Sequence, residues 1–276
     1  MRRRWILALA GALLTACGAF AVRRAPLASP RPVGPAASAA PSAPPARSLY
    51  VASFDEREAA LAFALEHGVS ELTLYGLGRA LGAEPAALAA FVAEARARGL
   101  AVAAPIAGLD RVEALARYEA AHPEGRFDGW STELEYWNAP PNERPHHFEQ
   151  LQALLTAMRA AKRDGWIACY LGYPSAEEAA WIAAHVDRVY LSFAVPDPAR
   201  ALEWGEGLRS HRARHGYFDG RVPIWPIVYT RGDAHLRPWL AQRSIAALEE
   251  ALARALGGRM AGVAYFDHGS LRDVFR

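Results

Sequence analysis

The stretch that decides the fold is residues 166–193, which read WIACYLGYPSAEEAAWIAAHVDRVYLSF. Its first apolar run, 166–171, ends shortly before Ser175 and Glu178, whose spacing is that of a helix-capping box. The helix that this box predicts is followed directly by a second apolar run, 188–193. Short apolar runs joined by a helix are typical of parallel strands with a crossover connection. The stretch therefore predicts one βαβ unit.

The same order of strand and helix repeats along the chain on both sides of this unit. Further helix starts are predicted at Asp55 with Glu58, at Asp110 with Glu113, and at Asp197 with Pro198. The predicted strands are 49–54, 71–75, 101–106, 127–137, 166–171, 188–193, 222–229 and 260–267. Eight such units in about 230 residues predict an α/β fold of the (β/α)8 TIM-barrel type. A doubly wound open sheet is the alternative, but the sequence contains no glycine-rich phosphate-binding loop.

The first 17 residues have the composition of a targeting segment. Three arginines precede a short apolar stretch, 5–14, and the sequence Leu14-Thr15-Ala16-Cys17 follows. The apolar stretch is too short to span a bilayer comfortably, which favours a signal that is removed. This segment resembles a bacterial lipoprotein signal peptide, and the resemblance implies that Cys17 is lipidated and becomes the mature N-terminus. A plain secretory signal or an uncleaved anchor is the alternative.

Residues 18–47 are rich in Ala, Pro and Ser, so we expect a disordered linker between the anchor and a barrel domain at 48–276. Gly18, not Asp, follows the predicted lipidated cysteine. By the same resemblance this favours an exported lipoprotein held at the outer membrane or cell surface. The remaining cysteine, Cys169, has no partner for an intramolecular disulfide, and we interpret it as a small buried hydrophobe.

Charge excludes one class of partner. The net charge is +2, and the barrel region has no basic stripe of the kind that binds nucleic acid. We expect a monomer without a cofactor, whose partners are the membrane, through the lipid anchor, and a glycan or other small-molecule substrate.

In TIM barrels the functional residues lie at the C-terminal ends of the strands. Reading those ends predicts three catalytic candidates, Glu133, Glu135 and Asp267. The predicted substrate-binding residues are Tyr75, Trp137, Tyr170, Tyr173, Ser192, Tyr229 and His268. Aromatic rings of this kind can stack on sugar rings, although they can equally fill a barrel interior.

The two glutamates belong to residues 127–138, which read FDGWSTELEYWN. Alternation along a strand places Ser131, Glu133, Glu135 and Trp137 on one face, with the two glutamates ~6.6 Å apart. At an effective dielectric of ~20, their repulsion is about 2.4 kcal/mol, enough to raise one pKa toward ~6, as a general acid needs. Alternatively, Arg or Lys side chains from neighbouring strands pair with both carboxylates.

Residues 128–135 resemble the fourth-strand signature of family 18 glycoside hydrolases, the chitinases and their relatives. The resemblance implies that Glu135 is the acid that protonates the glycosidic oxygen. It also implies that Glu133 occupies the position of the aspartate that orients the substrate's acetamido group. Ser131 stands where the family has a further aspartate, and Asp128 matches the first aspartate of the signature.

The chain departs from that family at its later strands. Residues 190–193 lack the acid of the family's sixth strand, and residues 265–267 lack the tryptophan of its last strand. The seventh strand also carries no acid, and Asp233 lies beyond it. Two hypotheses remain: a surface-anchored, glycoside-hydrolase-like barrel that uses Glu135 as general acid, or a non-catalytic barrel that binds carbohydrate or peptidoglycan. A divalent metal held by the glutamates with Asp267 and His268 has no supporting ligand spacing, so we expect none.

Overall fold

A computed structural model describes residues 45–193, 213–230 and 243–272. Its eight parallel strands form a closed barrel in which each strand pairs with the next and the eighth pairs with the first. This confirms the predicted (β/α)8 fold. The predicted lipidation site, most of the predicted linker, the helix start at Asp197 and the loop residue Asp233 lie outside the described residues.

Three of the eight predicted strands have the predicted bounds, and the other five differ mainly at their ends. The first strand begins two residues before the predicted domain boundary. The strands are β1 Ala46–Val51, β2 Glu71–Leu74, β3 Ala101–Ile106, β4 Gly129–Thr132, β5 Trp166–Leu171, β6 Arg188–Phe193, β7 Ile224–Tyr229 and β8 Gly262–Phe266.

Helices lie between these strands, and none of those described is long and apolar enough to cross a bilayer. The capping box predicted at α6 is confirmed, since the Glu178 amide donates to Ser175 Oγ and the Ser175 amide donates to the Glu178 carboxylate. Numbered within the described residues, the helices are α1 Arg57–Glu66, α2 Gly78–Ala83, α3 Pro85–Ala97, α4 Leu109–Ala121, α5 Arg144–Ala161, α6 Ala176–Ala183, α7 Ile245–Ala255 and α8 His268–Arg272.

The capping boxes predicted at Asp55 and Asp110 are wrong. A short 3-10 turn precedes α1, and its cap is Ser53, whose hydroxyl accepts a hydrogen bond from the Asp55 amide at 3.2 Å. Helix α4 begins after Gly108 with no side-chain cap, so Asp110 lies inside the first turn. In both places the helical turn begins before the acidic residue, which therefore does not cap it.

A polar plug fills the N-terminal end of the barrel. The Arg188 guanidinium lies 3.9 Å from the ring centre of Trp166 and 4.8 Å from that of Trp225. Its Nη1 donates to Glu71 at 2.7 Å, and the Tyr190 hydroxyl donates to the same carboxylate. All five side chains come from the first half of their strands, so this end of the interior is packed.

Strand β4 is shorter than predicted, because pairing with β3 stops at Thr132. The Glu133 amide still donates to the Ile106 carbonyl at 2.8 Å, and the chain then turns into a 3-10 turn, Tyr136–Asn138. The prediction of a strand through Trp137 is therefore wrong. Glu133 and Glu135 do not extend from one continuous strand.

A buried ion pair fixes the outer side of β4. Lys162 Nζ lies 3.0 Å from both oxygens of Glu119 and also donates to the Phe127 carbonyl. The Trp130 indole donates to the same glutamate at 3.0 Å. Trp130 thus faces the helices, as alternation along the strand predicts.

Candidate functional site

Aromatic side chains surround the C-terminal opening of the barrel, which we call the mouth. The hydroxyls of Tyr170 and Tyr229 lie 2.7 Å apart, and Ser192 Oγ lies 3.5 Å from the Tyr229 hydroxyl. The Trp137 ring packs edge-on against Tyr170 at 5.2 Å between centres. The side chains of the mouth are Tyr50, Tyr75, Glu133, Trp137, Tyr170, Ser192, Tyr229 and Phe266.

Phe266 links the other side of the mouth. Its ring centre lies 5.5 Å from that of Tyr50, 5.6 Å from that of Tyr229 and 6.4 Å from that of Tyr75. The structure therefore brings together five of the seven predicted substrate-binding residues, namely Tyr75, Trp137, Tyr170, Ser192 and Tyr229.

Tyr173 and His268 lie elsewhere. The Tyr173 ring is exposed beyond the end of β5, where the Arg214 guanidinium lies 4.4 Å from its centre. His268 is fully buried in the helical layer, with Nδ1 3.2 Å from Glu56 Oε2 and its ring packed edge-on against Phe63. The hydrogen bond and ring contacts described for these two side chains go to Arg214, Glu56 and Phe63, which lie outside the mouth.

Asp267 serves the start of α8. Its Oδ1 accepts hydrogen bonds from the Ser270 amide at 3.0 Å and from the Ser270 hydroxyl at 3.2 Å. Across residues 45–193, 213–230 and 243–272, no three His, Cys, Asp or Glu side chains are grouped so that they could hold a metal ion.

Glu133 is a half-buried acid of the mouth. Its Oε1 is buried and has no hydrogen-bond partner among the described residues. Burial raises the pKa of Glu133 to about 8, and the nearby charge of Glu135 adds to the rise. The Tyr50 hydroxyl opposes the rise, although the two groups do not meet hydrogen-bond geometry. Burial, more than the repulsion expected from the sequence, is the main cause.

Glu135 has a different environment although it is only two residues away. It is exposed beyond the end of β4, and its Oε2 accepts a hydrogen bond from Asn138 Nδ2 at 2.6 Å. Its charge still reaches the mouth, where burial and the charges of Glu133 and Glu135 together raise the pKa of Tyr75. The two carboxylates are thus one buried and one exposed group around the same opening.

Two members of the mouth, Tyr50 and Phe266, are absent from the residues predicted for the site. Tyr50 belongs to β1 and points inward, on the same face of the strand as Ser48. Burial raises its pKa well above the usual value. Alternation within β1 carried the signal that could have identified it. Phe266 lies next to the predicted Asp267 at the end of β8, and its aromatic ring suits stacking on a sugar, the role predicted for the other rings of the mouth.

A second concavity, of about 380 Å³, lies between α5 and α6 outside the barrel. Its walls include Arg144, Phe148 and Trp181. Arg144 donates to both oxygens of Glu178 at 3.0 and 2.6 Å, so these two charged groups of the groove satisfy each other. The mouth, with an unsatisfied buried acid, is the better candidate site.

Comparison with known proteins places the chain by fold alone. No protein-family model matches the sequence, and a search of curated proteins finds no match. β-Glucuronidase 2 from Bacteroides uniformis is similar in structure with a TM-score of 0.53 and 10% identity, over 81% of this chain and 30% of that one. A candidate fructose-1,6-biphosphate aldolase from Coccidioides immitis gives a TM-score of 0.51 and 12% identity, over 80% of this chain and 73% of that one. The protein is a (β/α)8 barrel whose structural neighbours include a glycoside hydrolase and other barrel enzymes.

Proposed function

We propose that the mouth binds a glycan and that Glu133 donates the proton when a glycosidic bond is cleaved. The observation that carries this proposal is the buried, unpaired carboxyl of Glu133, whose pKa of about 8 keeps it protonated at neutral pH. A general acid works best when its pKa lies near the working pH. The surrounding rings offer faces on which sugar rings can stack.

In the proposed reaction, Glu133 transfers its proton to the glycosidic oxygen while the bond from that oxygen to the anomeric carbon breaks. Water adds to that carbon and loses a proton, so that hydrolysis is complete and Glu133 is protonated again. Glu135 supplies a carboxylate at the same opening, which can stabilise the positive charge that develops on the sugar. This assignment reverses the roles implied by the resemblance to family 18, because Glu135 is exposed whereas Glu133 is buried.

A non-catalytic glycan-binding barrel is the second candidate, and one observation favours it. The other carboxylates near the mouth are already engaged, Glu135 by Asn138 and Asp267 by Ser270. A binding protein needs the aromatic rings and hydroxyls of the mouth, but it does not need a second free carboxylate.

Turnover on a panel of polysaccharides, followed by release of reducing ends, tests the catalytic proposal. We expect Glu133→Gln to lower turnover by about 10²–10⁴-fold, the usual contribution of general acid catalysis, while glycan binding is retained. Glu250→Gln, an exposed glutamate paired with Arg254 on α7, is the matched control and should keep full activity. Binding without turnover by the wild-type protein would instead establish the non-catalytic candidate.

We further propose that the domain is exported and held at the bacterial surface through Cys17. This placement would give the barrel access to cell-wall or environmental glycans. Cys17→Ala should abolish metabolic labelling with palmitate and release the protein from the membrane fraction. Membrane retention of the unlabelled variant would contradict the lipid anchor and support an uncleaved N-terminal segment.

A further inference from the structure

The chain supplies an arginine or lysine to four other glutamates whose side chains are largely buried. In the described residues, four glutamates whose side chains are 4–14% exposed each have an arginine or lysine nitrogen within 3.0 Å. These pairs are Glu71 with Arg188, Glu119 with Lys162, Glu178 with Arg144, and Glu249 with Arg47. Unpaired buried charge is costly, so this pairing is what protein stability requires.

Glu133 is the exception to this pairing within the described part of the chain. No described Lys, Arg or His forms an ion pair with it, and the charge that acts on its pKa is the negative charge of Glu135. The Tyr50 hydroxyl, which belongs to a side chain only 1% exposed, faces the same carboxyl and lacks a hydrogen-bond partner. Buried polar groups without partners are rare in native proteins, so these two facing groups call for a partner such as a water, an ion or a polar group of a ligand.

The walls of the mouth suit a cation as well. The faces of tyrosine, tryptophan and phenylalanine rings attract positive charge, and the attraction strengthens when the cation is removed from water. The charge of Glu135, and that of Glu133 when it is ionised, raise the pKa of Tyr75 and of Tyr170, so negative charge at either carboxyl acts on these rings. Aromatic walls combined with two acidic groups are the arrangement that recognises ammonium ions.

We infer that the ligand of the mouth is a glycan with a free, protonated amine, that is, a deacetylated amino sugar whose ammonium group supplies the positive charge missing beside Glu133. The sugar part of this inference rests on the proposed function, whereas the ammonium part rests on the charges and rings of the mouth alone. A neutral N-acetyl sugar offers no counter-charge to Glu135 or to the ionised form of Glu133.

The ammonium group would also change the acidity of Glu133. A positive charge close to the carboxyl favours its ionised form, so binding should move the pKa of Glu133 down from about 8 toward neutrality. The acid becomes stronger while much of it remains protonated at pH ~7. Binding should therefore release a fraction of a proton to the solvent.

Isothermal titration calorimetry with three disaccharides tests the inference without requiring turnover. The probes are the β-1,4-linked disaccharide of glucosamine, its N,N′-diacetyl counterpart and cellobiose, each at about pH 7. We expect the amine to bind at least ~10-fold more tightly than the other two and to lose affinity as salt is added. Equal or tighter binding of the diacetyl sugar would overturn the inference.

Variants assign the preference to Glu133. Glu133→Gln should reduce the preference for the amine by several-fold. It should also abolish the proton release, which is measured as the difference in binding enthalpy between two buffers of different ionisation enthalpy. The control Glu250→Gln should retain both the preference and the proton release. An unchanged preference and unchanged proton release in Glu133→Gln would contradict the role of this carboxyl, even if the folded variant binds well.

A fourth probe separates the amino sugar from other amines. Lysine amide presents an ammonium group without a sugar ring, and we expect it to bind at least ~10-fold more weakly than the glucosamine disaccharide. Equal affinity would overturn the assignment to a glycan. Retained amine preference without any turnover would contradict the catalytic proposal only, so the two proposals fail separately.

Discussion

At the scale of single residues, Glu133 lowers the free energy of unfolding as the pH rises, because its carboxyl ionises less readily in the folded protein than in the unfolded chain. Its pKa in an unfolded chain is ~4.3, and burial raises the value to about 8 in the barrel. Below pH ~4 both states are protonated and the residue has no effect on stability. As the pH rises to about 8, the unfolded chain loses the proton but the folded one keeps it, so stability falls.

Glu133→Gln should therefore stabilise the protein at high pH and not at low pH. The gain in the free energy of unfolding should be on the order of 4 kcal/mol at pH ~8 and should vanish near pH ~4, because glutamine does not titrate. Urea unfolding at several pH values measures it. A gain of the same size at every pH would show that burial of the charge is not the cause.

Glu119→Gln gives the opposite sign and serves as the control. This variant leaves Lys162, whose side chain is 1% exposed, without its carboxylate partner. Loss of one member of a buried ion pair costs ~3–5 kcal/mol. The two glutamate-to-glutamine changes should therefore shift the free energy of unfolding in opposite directions at pH ~8. That difference separates an acid that costs stability from one that provides it.

Sequence patterns could identify the pair Glu133 and Glu135 but could not show which of the two carboxyls has the raised pKa. Alternation placed both on one face and suggested repulsion as the cause of a raised pKa. The difference between them depends on where β4 stops pairing with β3, which is a long-range property. Alternation within β1 could identify Tyr50 as an inward position, but its place beside Glu133 depends on the packing of two strands that are remote in sequence.

At the scale of elements, the register of β4 on β5 depends on a glycine. Gly129 pairs with Trp166, and a Cβ added to Gly129 would lie 2.0 Å from the indole ring. Gly129→Ala should destabilise the protein by at least ~1–3 kcal/mol, since the tryptophan or the strand must move.

Gly82→Ala is the matched control for this change. Gly82 lies in α2, and a Cβ there would meet nothing within 4 Å. Alanine should stabilise the helix by about 0.5–1 kcal/mol through its better helix propensity. Thermal unfolding of the two variants should shift in opposite directions. A harmless Gly129→Ala would mean that the barrel wall is less tightly packed than the contact with Trp166 implies.

The capping boxes give a second test at this scale. Ser175→Ala removes the hydroxyl that caps α6 and should cost about 1 kcal/mol in the free energy of unfolding. Asp110→Ala should cost less, because no side-chain cap is present at the start of α4. Equal losses measured by urea unfolding would contradict this difference. The Ser-x-x-Glu and Asp-x-x-Glu patterns look alike in sequence, but only the first coincides with the point at which the chain leaves its extended conformation.

At the scale of the whole molecule, the barrel could be predicted because its evidence is local and repeated. Each apolar run with its following helix is visible in a short window, and eight repeats tolerate errors of several residues at individual ends. The plug of Arg188, Glu71 and Tyr190 could not be predicted, since its members come from β2 and β6 on different sides of the barrel. The same limit applies to the mouth, whose rings come from four strands and from the segments that follow β2 and β4.

The plug also determines how molecules move in and out of the barrel. With Arg188 held between Trp166 and Trp225 at the N-terminal end, a ligand that enters through the mouth has to leave through it. Substrate that enters and product that leaves then both pass through the mouth. If the barrel is an enzyme, a cleaved sugar that dissociates slowly from the tyrosines of the mouth prevents the next substrate from binding. Product inhibition of the competitive type is the kinetic consequence of that closed end.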